Sequence, residues 1–240
     1  MKKKKLIKYL ILILLLLSVY GIYHFFKTDK INYIALGDSV AEGMNPYGEV
    51  GYSYTDYLAE LLQKEHKLSY YTKKYTKSGY VTEDIIRNLQ TNNNLKKDLR
   101  ESDLVTISIG ANDFLHKIDL KSLDVSNIIG LKNKVTEVLP DIEKCIKEVR
   151  KYAKDDIIIV GYYNPIPFLF NTSGNDLDEL FAYIDDEYNK IATNNNCCYL
   201  SMYQLFKKNT NFLPNPADIH PNLDGYQEMA NQIYFFYHGK

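Results

Sequence analysis

Residue types that together can carry out acyl transfer occur at four places in this 240-residue sequence. Ser39 offers a hydroxyl that can act as a nucleophile, and His220 offers an imidazole that can act as its general base. The pair Ser78-Gly79 and the side-chain amide of Asn112 offer N–H groups, the kind of donor that stabilises a tetrahedral oxyanion. The four places are far apart along the chain, so they can act together only if the fold brings them to one site.

Short apolar runs alternate with longer helical patterns, and this alternation predicts the fold. Strands are expected over residues 31–36, 68–76, 103–109, 157–160 and 197–202, the second of them at an edge of the sheet. Helices are expected over residues 52–64, 82–89, 128–153, 177–193 and 222–237, with Pro140 kinking or dividing the third. This order predicts an α/β fold, a three-layer α/β/α sandwich in which a mainly parallel sheet of about five strands lies between two helical layers.

The polar residues named above all follow predicted strands. Ser39 ends the segment Gly37-Asp38-Ser39 after the first strand, and Ser78-Gly79 follows the second. Asn112 lies in Gly110-Ala111-Asn112-Asp113 after the third strand, and His220 follows the last. In open parallel sheets, sites lie at the carboxyl ends of the strands. The sequence therefore predicts that a hydroxyl, backbone donors, an amide and an imidazole meet at one sheet edge.

Four segments, over about residues 31–238, resemble the SGNH or GDSL hydrolase superfamily of esterases and lipases in the family's order. They are Ile34-Ala35-Leu36-Gly37-Asp38-Ser39, Ser78-Gly79-Tyr80-Val81-Thr82, Gly110-Ala111-Asn112-Asp113, and His220-Pro221-Asn222 followed by Gly225-Tyr226. The resemblance implies a flavodoxin-like sheet and a serine acylhydrolase that needs no cofactor. It implies that Ser39 is the nucleophile and His220 the base. It also implies that the Ser39 and Gly79 N–H groups and the Asn112 amide form the oxyanion hole.

The last segment departs from the family pattern at the acidic residue. The family's Asp usually stands three residues before the His, and here that position is Ala217, while Asp218 stands two before His220. Asp218 is the candidate third member of a catalytic triad. The alternative is that a backbone carbonyl orients the imidazole and that the site is a Ser-His dyad.

The charge of the chain is unevenly distributed. Six of the 29 basic residues lie within residues 1–27, which contain no acid, so residues 28–240 carry 23 bases against 30 acids. A domain with a net charge of about −7 is a poor candidate for binding nucleic acid, because phosphates require a basic surface.

The N-terminal segment has the pattern of a membrane anchor. Residues 6–26 are almost entirely apolar and follow four lysines. As a helix they would extend about 31 Å, enough to cross a bilayer core of about 30 Å. The lysines favour the cytoplasmic side, so residues 1–27 are predicted to anchor residues 28–240, the hydrolase domain, outside the membrane. The alternative is a signal peptide that is cleaved near Val19 and Gly21, which would make the domain a secreted protein.

The three cysteines are too few for a disulfide framework. Cys145 falls on the apolar face of a helical pattern, which indicates packing in the core. Cys197 and Cys198 are adjacent in a predicted strand and should point to opposite faces of the sheet. No cysteine or histidine cluster has the spacing of metal ligands, so no metal site is predicted.

The substrate class is predicted only broadly. Residues 162–170 follow the fourth strand and are unusually apolar for a loop, which fits either an acyl pocket or packing on the core. An anchored enzyme outside the membrane would meet phospholipids and cell-wall glycans, so an ester of a lipid or an O-acylated glycan is the expected substrate. The alternative to an enzyme is a surface binding module that keeps the fold without turnover. Ala217, at the position of the family's Asp, is mild evidence for this alternative, and the presence of Ser39, Asn112 and His220 is evidence against it.

Overall fold

Within the residues that this computed structural model describes (30–117, 127–165 and 174–239, together with Ile13), five parallel strands form the central sheet. They are β1 (Ile31–Gly37), β2 (Leu68–Thr76), β3 (Leu104–Ser108), β4 (Asp156–Val160) and β5 (Cys198–Leu200). The strand order is β2-β1-β3-β4-β5, and every neighbouring pair is parallel. This is the flavodoxin-like order, and it confirms the predicted fold class with β2 as an edge strand.

Helices cover both faces of the sheet. They are α1 (Ser39–Glu42), α2 (Tyr54–Lys64), α3 (Thr82–Thr91), α4 (Asn93–Arg100), α5 (Ala111–Leu115), α6 (Ile128–Arg150), α7 (Gly174–Asn194), α8 (Tyr203–Lys208) and α9 (Leu223–His238), with a 3₁₀ turn at Thr210–Phe212. The apolar faces of α3, α4, α6 and α7 bury one core, and those of α2, α8 and α9 bury a second core on the other side. The three layers of the predicted sandwich are therefore present.

Successive side chains along each strand point to opposite faces of the sheet, so each strand contributes apolar side chains to both cores. In β1, Tyr33 and Ala35 point into the core beside α2 and α9, whereas Ile34 and Leu36 point into the core beside α3 and α6. All four side chains are completely buried. A strand covered on both faces has no solvent side, which explains why β1, β3 and β4 appear in the sequence as short, nearly continuous apolar runs.

Helix α6 is continuous through Pro140, so this residue does not divide the helix. Proline lacks an N–H and removes one hydrogen bond from the helical ladder. Apolar side chains on both sides of it, Val135 and Val138 before and Ile142 and Val149 after, are buried in the same core. Packing of both halves against one surface therefore holds the helix together across the proline.

The cysteines pack as the sequence predicts, although Cys197 lies directly before β5 rather than within it. Cys145 is fully buried in the core beside α6, and Cys197 and Cys198 pack against different cores on opposite faces of the sheet. All three are free thiols. Among the described residues, no group of His, Cys, Asp or Glu side chains is placed to hold a metal ion.

The predicted anchor at residues 6–26 lies outside the described residues, apart from Ile13. By its contacts, Met1–Lys30 separates from Ile31–Lys240 as a unit of its own. In the part of the chain that the structure describes, no helix is both long enough and apolar enough to cross a membrane.

Candidate active site

The strand register brings three of the predicted loops together. Gly37, the last residue of β1, pairs with Thr76 at the end of β2 and with Ser108 at the end of β3. Because all three strands are parallel and end at the same level, the loops that follow them begin side by side. Lys77 N–H donates to the Gly37 carbonyl over 3.1 Å, and Asp38 N–H donates to the Ser108 carbonyl over 3.0 Å.

Ser39 is the first residue of α1, directly after the β1 end. Asp38 caps this helix by accepting from Val40 N–H at 3.1 Å. Gly37 has φ +149°, and a Cβ there would lie 2.4 Å from the Ser108 carbonyl oxygen, so only glycine allows this close approach of the turn to β3. The turn thus places the Ser39 hydroxyl at the carboxyl edge of the sheet, where it lines a cavity.

His220 and Asp218 form a continuous hydrogen-bonded chain with Ser39. The Ser39 Oγ lies 2.8 Å from His220 Nε2, although 181 positions separate the two residues. On the other side of the ring, His220 Nδ1 lies 2.7 Å from Asp218 Oδ1. The same carboxylate oxygen accepts the His220 backbone N–H at 2.8 Å. A tight turn closed by that backbone bond therefore lets an acid two residues before the histidine reach the ring.

The loop that carries His220 is held on both sides. The hydroxyl of Tyr163, three residues after β4, donates to the Ile219 carbonyl over 2.9 Å. On the C-terminal side, Asn222 caps α9 by accepting from Gly225 N–H at 2.9 Å. Both anchors are parts of the packed fold, so the imidazole is positioned by rigid elements rather than by a free loop.

Two backbone N–H groups in the loops at this edge of the sheet, those of Ser39 and Gly79, have no acceptor among the described residues. The Ser39 N–H is the first of a helix, and such groups have no partner inside the helix. Gly79 has φ +81°, a left-handed conformation that favours glycine, and no acceptor among the described residues faces its N–H. The neighbouring Ser78 donates its N–H and hydroxyl to Glu42 Oε2 at 2.6 and 2.5 Å, which fastens this turn to the end of α1.

Asn112 lines the same cavity as Ser39, and its amide is held in place. Its Nδ2 donates to the Tyr80 carbonyl over 2.9 Å. An amide nitrogen has two N–H groups, so this bond leaves one to donate to a ligand. The next residue, Asp113, accepts the N–H and hydroxyl of Thr82 at the start of α3. The two contacts join the β2 and β3 loops into one unit.

The fold therefore brings together the predicted nucleophile, base, acid and oxyanion donors at one edge of the sheet. Sequence reasoning assigned no role to Asp38, Asp113 or the Tyr80 carbonyl, which position Ser39, the Asn112 loop and the Asn112 amide. Asp38 had a usable signal, because Asp directly before a short helix is a preferred cap. The role of the Tyr80 carbonyl had no sequence signal, since every residue has a backbone oxygen.

Asp38 is also electrostatically unusual. It is 2% exposed. Burial, with a smaller contribution from the charge of Asp113, raises the pKa of its carboxyl to about 7, although the hydrogen bond from Val40 N–H opposes the shift. The folded state therefore keeps a proton on Asp38 in a pH range in which the unfolded chain has lost it.

This difference predicts that stability falls as pH rises. An unfolded Asp titrates near 3.8 and folded Asp38 near 7, so the free energy of unfolding should be highest below pH 4 for this group and should decrease through pH 7. The loss from this group is up to about 4 kcal/mol. In the variant Asp38→Asn, which keeps the helix cap and cannot titrate, that decrease should disappear. Urea unfolding of both proteins at pH 5 and pH 8 measures it, and identical pH slopes would contradict the assignment.

Comparison with known proteins identifies the family to which the chain belongs. The model of the GDSL-like lipase/acylhydrolase family matches residues 35–228. The chain belongs to this family. It is a carboxylic ester hydrolase, as GDSL-type lipases and esterases are. The matched region contains every predicted site residue, from Ser39 to His220. No curated protein matches the sequence.

Solved structures of the same fold include several esterases. A lipase, Lip_vut3 from a goat rumen metagenome, is 18% identical over 84% of this chain and 94% of its own, with a TM-score of 0.65. Axe2, an acetylxylan esterase from Geobacillus stearothermophilus, is 20% identical over 86% and 94%, with a TM-score of 0.59. LAE5, an alpha/beta hydrolase enzyme from a metagenome of Lake Arreo, Spain, is 20% identical over 84% and 92%, with a TM-score of 0.56. Sequence identities of 18–20% with these TM-scores show that the GDSL-type hydrolase and these three proteins share a fold.

Proposed function

We propose that the GDSL-type hydrolase cleaves carboxylic esters through an acyl-enzyme formed on Ser39, with His220 as base and Asp218 as its orienting acid. The observation that carries this proposal is the unbroken chain from Ser39 Oγ to His220 Nε2 at 2.8 Å and from His220 Nδ1 to Asp218 Oδ1 at 2.7 Å. A hydroxyl, an imidazole and a carboxylate in that order form the arrangement that activates a serine nucleophile.

Asp218 fixes the state of the imidazole. The carboxylate accepts a hydrogen bond from the Nδ1–H group, so that Nε2 keeps its lone pair and can take up the Ser39 hydroxyl proton. As Ser39 Oγ attacks the ester carbonyl, His220 becomes an imidazolium next to Asp218, whose negative charge stabilises it. His220 then gives the proton to the departing alcohol.

The carbonyl oxygen becomes an oxyanion in this step, and the donors described above are available to it. The Ser39 and Gly79 N–H groups and the second N–H of Asn112 are fixed before substrate arrives, so no reorganisation is needed when the charge forms. Water activated by His220 then attacks the acyl-enzyme and releases the acid and Ser39. Every catalytic group named in this cycle is a residue of the chain.

A partitioning experiment tests the acyl-enzyme. Several esters of one acid with different alcohols are hydrolysed in buffer that contains methanol, and the ratio of free acid to methyl ester is measured. All the esters give the same acyl-enzyme, because the alcohol has left before water or methanol attacks. The ratio of free acid to methyl ester should therefore be the same for all of them. A ratio that changes with the leaving group would mean that water attacks the ester directly, and the proposal would fail.

For location and substrate, we propose that residues 28–240 act outside the cytoplasm on an ester of a lipid or an O-acylated glycan, held at the membrane by residues 1–27. The basic N-terminus followed by the apolar run of residues 6–26 supports this arrangement. An acidic domain suits neither a nucleic-acid partner nor direct adhesion to anionic headgroups.

Cell fractionation is expected to recover the intact chain in the membrane pellet, with the hydrolase domain open to protease added from outside. A variant that begins at residue 28 is the control, and it should remain in the cytosol, protected from the protease. A mature soluble form that begins near Ile22 would show cleavage and secretion instead. An intact chain in the cytosol would contradict both placements.

A further inference from the structure

A cavity of about 150 Å³ opens beside Ser39 and extends between the sheet and the helices α6 and α7. Ser39 and Asn112 lie in its wall, together with Ile219 of the loop that carries His220. Asp38 and Ser108 also line the cavity, and most of the remaining wall is apolar, including Val135, Val138, Ile142, Leu180, Phe181 and Ile184. A reacting carbonyl at Ser39 would therefore stand at one end of an apolar chamber.

The hydroxyls of the tyrosines in this wall are hydrogen-bonded to protein groups. Tyr162 donates its hydroxyl to the Ile109 carbonyl over 2.6 Å, and the Tyr188 hydroxyl lies 3.1 Å from that of Tyr162. Tyr163 donates to the Ile219 carbonyl. Each ring therefore offers carbon to the cavity while its hydroxyl is satisfied by protein. A water molecule needs two to four polar partners, so this space favours an apolar occupant over water.

We propose that this cavity binds the acyl chain of the substrate and selects a straight chain of about six carbons, an inference that rests on the proposed function. Apolar cavities of about 150 Å³ admit a molecule the size of benzene, which has six carbons. An acetyl group would leave most of the chamber empty, and a chain much longer than eight carbons would exceed it. We call this space the acyl-chain cavity.

The chain-length series of p-nitrophenyl esters tests the selection. Each methylene that enters the acyl-chain cavity should raise kcat/KM about fourfold, which corresponds to about 0.8 kcal/mol per buried methylene. From acetyl to hexanoyl the rise should exceed 100-fold, and from octanoyl to dodecanoyl kcat/KM should level off or fall. A profile that is flat, or highest for acetyl, overturns the inference.

Two variants change the cavity in opposite directions. Val138→Phe places a ring in the chamber, and the preferred chain should become shorter. Ile184→Ala removes atoms from the wall of the acyl-chain cavity, so the preferred acyl chain should become longer. This second variant still tests the inference if Val138→Phe does not fold because its core is overpacked. Ile129→Phe is the matched control, because Ile129 lies on the same helix as Val138 and is 76% exposed. An optimum that moves equally in the control, or in neither cavity variant, contradicts the assignment.

Binding to Ser39→Ala separates this inference from the proposed mechanism. With no nucleophile, the variant should still bind uncleaved ethyl hexanoate more tightly than ethyl acetate, by more than 100-fold if four methylenes are buried. This preference, seen even if the wild type shows no turnover of any ester, would support the cavity while the mechanism fails. Equal binding of both esters would overturn the cavity assignment whatever the turnover.

Discussion

Replacement of Ser39 by alanine is expected to lower kcat for ester hydrolysis by about 10⁵-fold, the largest effect of any single substitution in this protein. The reason is that Ser39 supplies the oxygen that forms the acyl-enzyme, and no other hydroxyl is bonded to His220 Nε2 in the described part of the chain. What remains should be the small acceleration that binding and the oxyanion donors provide without a nucleophile. Steady-state hydrolysis of a p-nitrophenyl ester measures the loss.

Ser201→Ala is the matched control for that measurement. The Ser201 hydroxyl donates to Asp185 and lies outside the cavity beside Ser39, so its removal takes away a hydroxyl without touching the reaction. Turnover should stay near the wild-type value. If Ser39→Ala retains more than a tenth of the wild-type kcat while its structure is intact, the nucleophile lies elsewhere.

The second large effect is expected at His220 and Asp218, and its signature is non-additivity. His220→Ala should lower kcat by about 10⁴-fold or more, because His220 Nε2 is the group placed to take the Ser39 proton. Asp218→Asn should lower kcat by about 10²- to 10⁴-fold, since an amide donating to Nδ1 would favour the wrong tautomer of the ring. The double variant should be little worse than His220→Ala alone, because members of one catalytic unit act together.

Melting temperature and turnover, measured on the same preparation, distinguish a catalytic from a structural Asp218. The carboxylate also closes the turn through the His220 N–H, so some loss of stability is expected on substitution. If Asp218→Asn melts earlier but keeps wild-type turnover, the site is a Ser-His dyad in which another group orients the imidazole. Turnover lost without a matching change in the unfolding transition supports the triad.

Much of the fold was predictable because each element has a strong local signal. β1, β3 and β4 are short branched apolar runs buried on both faces, and α6 repeats apolar residues every three or four positions. The segment after each strand ends in a glycine or a polar residue that cannot continue the strand. Since parallel strands end at one edge, the neighbourhood of Ser39, Gly79, Asn112 and His220 followed from the order of elements alone.

The elements that escaped prediction are short and carry few apolar residues. Helix α4 has only Leu95 and Leu99 in its buried stripe, and its start depends on Asn92, which accepts from Asn94 and Leu95 N–H. β5 ends at Leu200 rather than at Met202, because Ser201 accepts from Tyr203 N–H and begins the turn into α8. Capping hydrogen bonds of this kind determine where a helix or strand begins and ends, and the periodicity of apolar residues does not reveal these bonds.

Two features of the site depend on three-dimensional detail that sequence spacing does not give. The unusual position of Asp218 left its role open, and only the turn geometry places its carboxylate 2.7 Å from His220 Nδ1. The cavity beside Ser39 likewise depends on where the hydroxyls of Tyr162, Tyr163 and Tyr188 point. In the apolar loop predicted at residues 162–170, Tyr162, Tyr163 and Pro165 line that cavity, and residues 166–170 lie outside the described part of the chain.

The most direct test of the mechanism is the mass of the protein after reaction with a fluorophosphonate, a reagent that a base-activated serine attacks. We expect one adduct per chain, located on Ser39 by peptide mass spectrometry, with fluoride displaced and the phosphorus bonded to Oγ. Formation should be slowed strongly in His220→Ala and absent in Ser39→Ala. A wild-type chain that stays unmodified, or an adduct that forms equally well in Ser39→Ala, would contradict it.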